Sequence, residues 1–504
     1  MKRIILAIAA LLFHAAVPAA AQTTLRIGLA EDPDVLDPTL GRTYVGRIVF
    51  ASICDKLFDI DDKLAIVPQL ALSHETSSDG RTVTLKLRPG VKFHDGETMD
   101  ADAVKFSLDR HITFPSSFRK PELAAVDTID VVDAMTVKLN LKNAFSPLIA
   151  QLSDRAGMIV SPKAAKDAGD KFGLKPVCAG PYKFVERVQQ DRIVVEKFAD
   201  YWNAKDVTID KIIYRPIVDS TVRLANLKSG SLDLIERALA TDLKEIKADS
   251  RLKLALQTEI GYQGLTLNLA NSPAGKDGPF GKSPKARQAL EAAIDREALN
   301  QVVFNGEALP GNQWISPKNP YYQQKFPVPA RDVAKAKKLL AEAGLKAPVA
   351  VDFMVPNNPE SRQAAEVIQS MAAEAGFDMK IRVTEFATAL KEAEDGRFQA
   401  FFIGWSGRVD PDGNLFVFKK TKAPQNNGFF SDPEVDQWLD DSRKVSGVAE
   451  RKAIYEKIMA KELDAGSIIY LYHRPVIIAH SVKLDGYKQL PDGLVRVVGV
   501  KIKP

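Results

Sequence analysis

The chain has 504 residues, 45% of them hydrophobic and 26% charged, and a formal net charge of +5 at neutral pH. This composition excludes a disordered or low-complexity chain and allows two or three domains with cores of their own. The small charge carries no nucleic-acid or membrane-surface footprint.

In chain order, the first 21 residues, MKRIILAIAALLFHAAVPAAA, place Lys2 and Arg3 before an apolar run from Ile4 to Phe13 and the small residues Ala19, Ala20 and Ala21. That is the pattern of a secretory signal peptide cut before Gln22. A membrane anchor needs roughly 20 apolar residues, and this run is shorter. No Cys stands directly after the cleavage point to carry a lipid, and no later stretch is apolar enough to span a membrane, so a soluble periplasmic protein is expected. Removing Lys2 and Arg3 lowers the formal charge from +5 to +3. The only cysteines, Cys54 and Cys178, would sit in a compartment that permits disulfides. One bridge between them and two buried thiols are both open.

Thr24 to Leu29 reads as a strand, followed by a loop with a turn at Asp37-Pro38 and a tyrosine, Tyr44, available for a role. An apolar segment runs from Ile48 to Phe58, and Thr82 to Leu87, TVTLKL, alternates as a half-buried strand. After turns at Pro89-Gly90 and Asp95-Gly96, Asp100 is a natural N-cap for a helix whose apolar face is Ala103, Val104, Phe106 and Leu108. Pro310 to Pro329 holds five prolines and no helical period, and reads as a long ordered loop shaping a cleft around Trp314. Val349 to Val355 reads as a strand, Glu360 to Ala375 as a helix with Ala364, Val367, Ile368 and Met371 on one face, and Lys380 to Val383 as a strand. A short helix from Ala387 to Glu394 leads into a strand at Phe401. Strands alternating with helices predict an α/β fold with a mainly parallel sheet covered on both faces.

The stretch from Phe401 to Phe418, FFIGWSGRVDPDGNLFVF, sets a very polar turn between two apolar segments. A loop leaving the C-terminal end of a buried strand is where open α/β sheets present groups to a ligand, and Trp405 puts a large ring beside the charges. The alternative is a solvated turn rich in Asp, Pro and Gly. Tyr44, Trp314, Trp405, Ser406, Arg408, Asp410 and Asp412 are the candidate ligand-binding residues. Enzyme motifs fail one by one. Gly404-Trp405-Ser406-Gly407-Arg408 lacks the second glycine of a nucleophile elbow, and Lys276 stands where a phosphate loop ending in Gly281-Lys282-Ser283 needs its first glycine. The histidines show no metal-ligand spacing, and Asp410 with Asp412 makes no cation site without further oxygen donors. No catalytic residue, metal or cofactor is expected.

Several runs resemble one family. LKLRPGVKFHDGETMDADAVKFSLDR, from Leu85 to Arg110, closely resembles the signature of the peptide-type (dipeptide, oligopeptide and nickel, family 5) solute-binding proteins of ABC importers. PVCAGPYKF, from Pro176 to Phe184, resembles that family's Gly-Pro-Tyr turn, with Cys178 where a small residue is usual. The block from Phe198 to Glu236, the helix pair from Ser283 to Pro310 and the helix from Arg331 to Ala343 ending at Gly344 are similar to the family's segments in the same order.

The resemblance covers essentially the whole mature chain and implies two lobes joined by two crossing strands, with an extra subdomain in the first lobe. On that reading lobe I is 22–266 and 473–504, with the subdomain at about 62–175, and lobe II is 267–472. The crossings fall near Leu265 to Leu269 and Ile468 to Tyr472. It further implies a monomeric periplasmic receptor that captures a peptide-type solute and delivers it to an inner-membrane ABC permease.

In peptide-binding members the run after Gly-Trp commonly carries an Asp that can pair with a peptide's α-amino group, and here Arg408 stands there. A guanidinium repels an ammonium but suits a carboxylate or phosphate. An anionic non-peptide solute (an opine, a sugar phosphate or a glutathione-like molecule) is therefore the alternative, as is a sensor or chaperone with the same fold.

Overall fold

A computed structural model describes residues 22–503, and the signal-peptide reading on residues 1–21 lies outside them. Two mixed sheets carry the two lobes. The first has seven strands in the order Leu252–Thr258, Pro475–Ser481, Leu234–Ile235, Thr24–Leu29, Lys211–Pro216, Arg192–Lys197, Tyr182–Val188. The second has six, in the order Leu309–Pro310, Ile468–His473, Tyr262–Leu267, Ala400–Trp405, Val349–Pro356, Phe377–Thr384. A separate four-stranded antiparallel sheet, which includes Thr82–Leu87, builds the subdomain core around Leu85, Val91, Phe93 and Leu139.

Local chemistry explains these elements. In Thr82–Leu87 the alternate residues Val83, Leu85 and Leu87 are buried, as a period of two requires when one face meets a core. Asp100 caps the helix Ala101–Thr113 by accepting from Ala103 N at 2.9 Å. The helix Pro359–Ala375 buries Ala364, Ala365, Ile368 and Ala372 on one face, with Val367 and Met371 packed at its margin, and stops at Gly376, whose φ of 103° favours glycine. Among the described residues no helix is long and apolar enough to cross a membrane.

The mainly parallel sheet expected for the C-terminal half is not what forms. Val349–Pro356 is parallel to both neighbours, but Tyr262–Leu267 is antiparallel to both Ala400–Trp405 and Ile468–His473. Topology requires part of this. One crossing strand brings the chain into the second sheet and the other takes it out, so the two run in opposite directions.

The crossings themselves also sit elsewhere than read. Leu265–Leu267 and Ile468–Tyr472 lie inside the second sheet, and the chain passes between sheets at Glu259–Gly261 and at Arg474. An apolar-run criterion finds the buried middle of a strand, whereas the passages are polar. They are laced together: Glu259 N donates to Arg474 O at 2.9 Å, Arg474 N to Glu259 Oε1 at 2.8 Å, and His473 Nδ1 to Gly261 O at 2.6 Å. Gly261 is needed there, because a Cβ would lie 1.7 Å from Trp405 O.

Cys54 and Cys178 are joined as a disulfide, with Cα atoms 4.9 Å apart, inside the first-lobe core. The bridge pins the end of the helix Tyr44–Ile53 to the segment leading into Gly180.

Candidate functional site

The strand Ala400–Trp405 has a buried apolar middle and ends where the two sheets face each other, opposite Tyr262. From the other side, Thr43 caps the helix Tyr44–Ile53 by accepting from Gly46 N at 3.2 Å, which fixes Tyr44 in the first turn. Between these two ends lies a cavity of about 1050 Å³, mouth included. Glu31, Arg42, Thr43, Tyr44 and Arg237 line it from the first lobe, and Gln263, Asn358, Ser361, Phe386, Trp405, Ser406, Phe418 and Gln425 from the second. Arg474 reaches it from the crossing.

Aromatic rings and hydrogen-bonding groups alternate around this wall, as in a site that grips a polar solute with apolar faces. Trp405 is 9% exposed, stands edge-on to Phe418 with ring centroids 4.9 Å apart, and donates from Nε1 to Asn414 Oδ1 at 3.1 Å. Its ring is thus held before any ligand arrives. Tyr44 donates to the carbonyl of Gly493, and burial raises its pKa well above the usual phenol value, so it stays a neutral donor.

Most guanidinium groups here already have partners. Arg237 lies 2.6 Å from Glu236 and 3.0 Å from Glu31, and Arg42 pairs across the cleft with Glu394. Arg474 differs. Its nearest carboxylates are Glu259 at 3.6 Å and Glu360 at 3.8 Å, and its buried Nε has no hydrogen-bond partner among the described residues. A guanidinium that lines the cavity and holds its two carboxylates only at 3.6 and 3.8 Å is suited to take a carboxylate or phosphate as well.

The predicted residues divide. Tyr44, Trp405 and Ser406 line the cavity, and Ser406 Oγ also accepts from Arg47 of the first lobe at 3.2 Å. Arg408 turns away from the cavity to pair with Asp154 of the first lobe, its guanidinium 4.3 Å from the Trp405 ring. Asp410 is held by both terminal nitrogens of Arg451 at 2.7 Å each. Asp412, 1% exposed, accepts from Arg443 at 2.6 and 2.9 Å and from Gln151 at 2.9 Å. Trp314 is 1% exposed and packs on Tyr455 in the second-lobe core, so it shapes that core rather than the cleft. The polar turn is therefore neither solvated nor wholly ligand-facing, because its charges are spent on partners inside the protein.

Arg42, Arg237, Gln263, Asn358 and Arg474 were not among the predicted residues; they come from separate segments with no shared motif. Only Arg474 left a signal. It is a lone charge between two apolar strands in IIYLYHRPVIIAH.

Comparison with known proteins gives the family and the fold. The family described as bacterial extracellular solute-binding proteins, family 5 Middle, matches residues 65–427. The glutathione-binding protein GsiB of Pectobacterium atrosepticum is 32% identical over 473 residues, 91% of this chain and 90% of that protein. Among solved structures, the periplasmic binding protein AgaA from A. tumefaciens R10, in complex with agropinic acid, superposes with a TM-score of 0.87 at 29% identity, covering 95% of this chain and 99% of that one. DppA from Helicobacter pylori, in complex with the peptide STSA, shares the fold with a TM-score of 0.88 at 24% identity, covering 95% and 98%.

Proposed function

We propose, from the premise that the chain belongs to the family 5 bacterial extracellular solute-binding proteins, that its solute is a small peptide-like or opine-like acid held by Arg474. The chain is the solute-binding component of an ABC importer, and its working chemistry is capture and closure. Residues 1–21 direct export, and the mature chain acts as a monomer in the periplasm beside its inner-membrane permease, with no catalytic step.

The observation that carries the acidic reading is the open guanidinium of Arg474 at the crossing between lobes. A carboxylate seated there would be gripped at the point about which the lobes move. Trp405 and Phe418 supply apolar faces, while Tyr44, Gln263, Asn358 and Ser406 supply donors and acceptors for the rest of the solute. Glutathione and agropinic acid, named for GsiB and AgaA, are both carboxylic acids, which supports the same class. A closed state prevails only if the solute binds it more tightly than the open one; a shift from 1:99 to 99:1 takes about 5.5 kcal/mol of differential affinity.

The test is titration calorimetry of ligand-free protein against glutathione, agropinic acid, neutral dipeptides and sugar phosphates. Binding of a carboxylic acid in preference to its amide or ester supports the proposal. Equal affinity for acid and amide removes the role of Arg474.

A further inference from the structure

Behind Trp405 the seam between the lobes encloses a second group of charges that solute capture does not use. Arg47, Arg119 and Arg155 of the first lobe and Arg408 of the second converge on two carboxylates, Asp154 and Glu122. Arg47 Nη2 lies 3.2 Å from Asp154 Oδ2, Arg155 Nε 3.7 Å from Asp154 Oδ1, and Arg119 Nη1 2.6 Å from Glu122 Oε1. Arg408 Nε closes on Asp154 from across the seam. Neighbouring charges do not cancel the excess, because Asp412 is paired with Arg443, Asp37 with Arg110, and Asp59 and Asp492 with Lys56 and Arg496. Four guanidinium groups thus face two carboxylates, and the group holds two uncompensated positive charges away from water.

Such an excess is costly unless something neutralises it. The hydrogen bonding tells the same story: Arg119 Nε and Nη2, Arg155 Nε and Arg408 Nη2 are buried with no partner among the described residues. Guanidinium groups do not shed a proton to relieve this, and the cluster's own open acceptors, Asp154 Oδ2 and Glu122 Oε2, are two against four open N–H nitrogens, which leaves a place for an acceptor from outside the chain. Space exists for a small one. Arg408 and Glu122 face a small chamber of about 10 Å³, enough for the centre of one water-sized species, also lined by Gln151, Trp405, Asp412 and Arg443. Glu122 Oε2 is itself without a partner.

We propose that the seam is a second binding site, separate from the solute cavity, for a small inorganic anion of chloride size. Because its donors come from both lobes, the anion binds the closed arrangement more tightly than the open one and so favours closure. Importer activity would then respond to the anion content of the compartment as well as to solute.

The test is thermal unfolding of the ligand-free mature protein in sodium chloride against sodium gluconate at equal ionic strength, with bromide-soaked crystals as a direct readout. The wild type should melt a few degrees higher in chloride, with saturation, since a species that binds only the native state raises its melting temperature. Arg119→Met and Arg408→Gln should lose that increase. Glu122→Gln, which removes a competing negative charge at constant shape, should reach half-saturation at severalfold lower chloride and keeps the test open if the arginine variants fold poorly. An anomalous bromide peak within the seam supports the proposal. Equal melting in the two salts, or a chloride effect that survives both arginine substitutions, overturns it. A response to acetate but not to chloride would assign the seam to a solute's carboxylate and equally overturn it.

Discussion

Arg408 of the second lobe and Asp154 of the first form a buried ion pair across the seam, with the guanidinium stacked on Trp405. Asn414 fixes this arrangement by accepting from Arg408 N at 2.6 Å and from Trp405 Nε1 at 3.1 Å. The pair joins the two lobes and lies outside the solute cavity, so it bears on closure rather than on solute recognition.

Arg408→Ala should therefore weaken apparent solute affinity while leaving the ranking of solutes unchanged. Removing one partner of a buried pair costs about 3–5 kcal/mol if the lobes stay closed, and opening relieves that cost. Small-angle scattering of the variant with saturating solute should show a larger open fraction than the wild type. A cycle with Asp154→Ala should be non-additive; additive losses would mean that the two side chains do not act as a pair.

Trp405→Ala should lower solute affinity far more than it lowers the melting temperature of the ligand-free protein. The ring lines the cavity and is 9% exposed, so it is half wall and half core. Calorimetric titration and scanning of the same preparations separate the two. Equal losses would make Trp405 a packing residue only.

Arg474→Ala should reduce affinity for an acidic solute by about 2–5 kcal/mol, with Arg474→Lys restoring part because an ammonium lacks the planar fork. The lysine variant also controls for damage to the crossing, since the backbone bonds between Glu259 and Arg474 remain available to it. Titration with wild-type affinity in the alanine variant would place the acidic group elsewhere.

Three buried histidines should make the protein sensitive to acid. Burial lowers the pKa of His94, His111 and His473 from 6.5 to about 4, so each is neutral when folded and protonates more readily when unfolded. The stability each provides is present above pH 6.5 and is lost as pH falls from 6.5 towards 4, by up to about 3 kcal/mol apiece. Asp55, raised to about 7 by burial, works in the opposite sense across this whole range, as do Glu122 and Glu259, whose pKa values burial also raises. The histidine contribution is therefore read by difference: between pH 7.5 and 4 the melting temperature of His111→Gln should fall less, or rise more, than that of the wild type. An unchanged profile in that variant would show that His111 does not contribute.

Reduction of the Cys54–Cys178 bridge should lower the melting temperature without abolishing solute binding, because the bond sits in the first-lobe core and not in the cavity wall. The bridged residues are 124 apart in sequence, for which the chain-entropy model gives about 5 kcal/mol. Thiol titration of denatured protein should find no free thiol until a reductant is added. Two titratable thiols in untreated protein would show the bridge absent.

Much of the fold was legible from contiguous residues. The alternation in TVTLKL, the cap at Asp100, and the helix read from Glu360 to Ala375 each depend on neighbours a few positions away, whose hydrogen bonding and burial period are local properties. The family resemblance likewise rested on short runs in a fixed order. Of the candidate ligand-binding residues, Tyr44, Trp405 and Ser406 line the cavity, each at or beside an element's end next to a turn.

Tertiary structure alone decided how the charges were used. Nothing near Arg408 in sequence shows that Asp154 waits for it, that Arg451 and Arg443 take Asp410 and Asp412, or that Arg474 keeps its fork open. A charged side chain is recognised by whichever opposite charge the fold brings within a few ångströms, and that partner is set by the packing of distant elements. Strand direction was hidden for the same reason: the pattern of burial is identical in parallel and antiparallel neighbours, and only the two crossings between lobes fixed which way Tyr262–Leu267 and Ile468–His473 run.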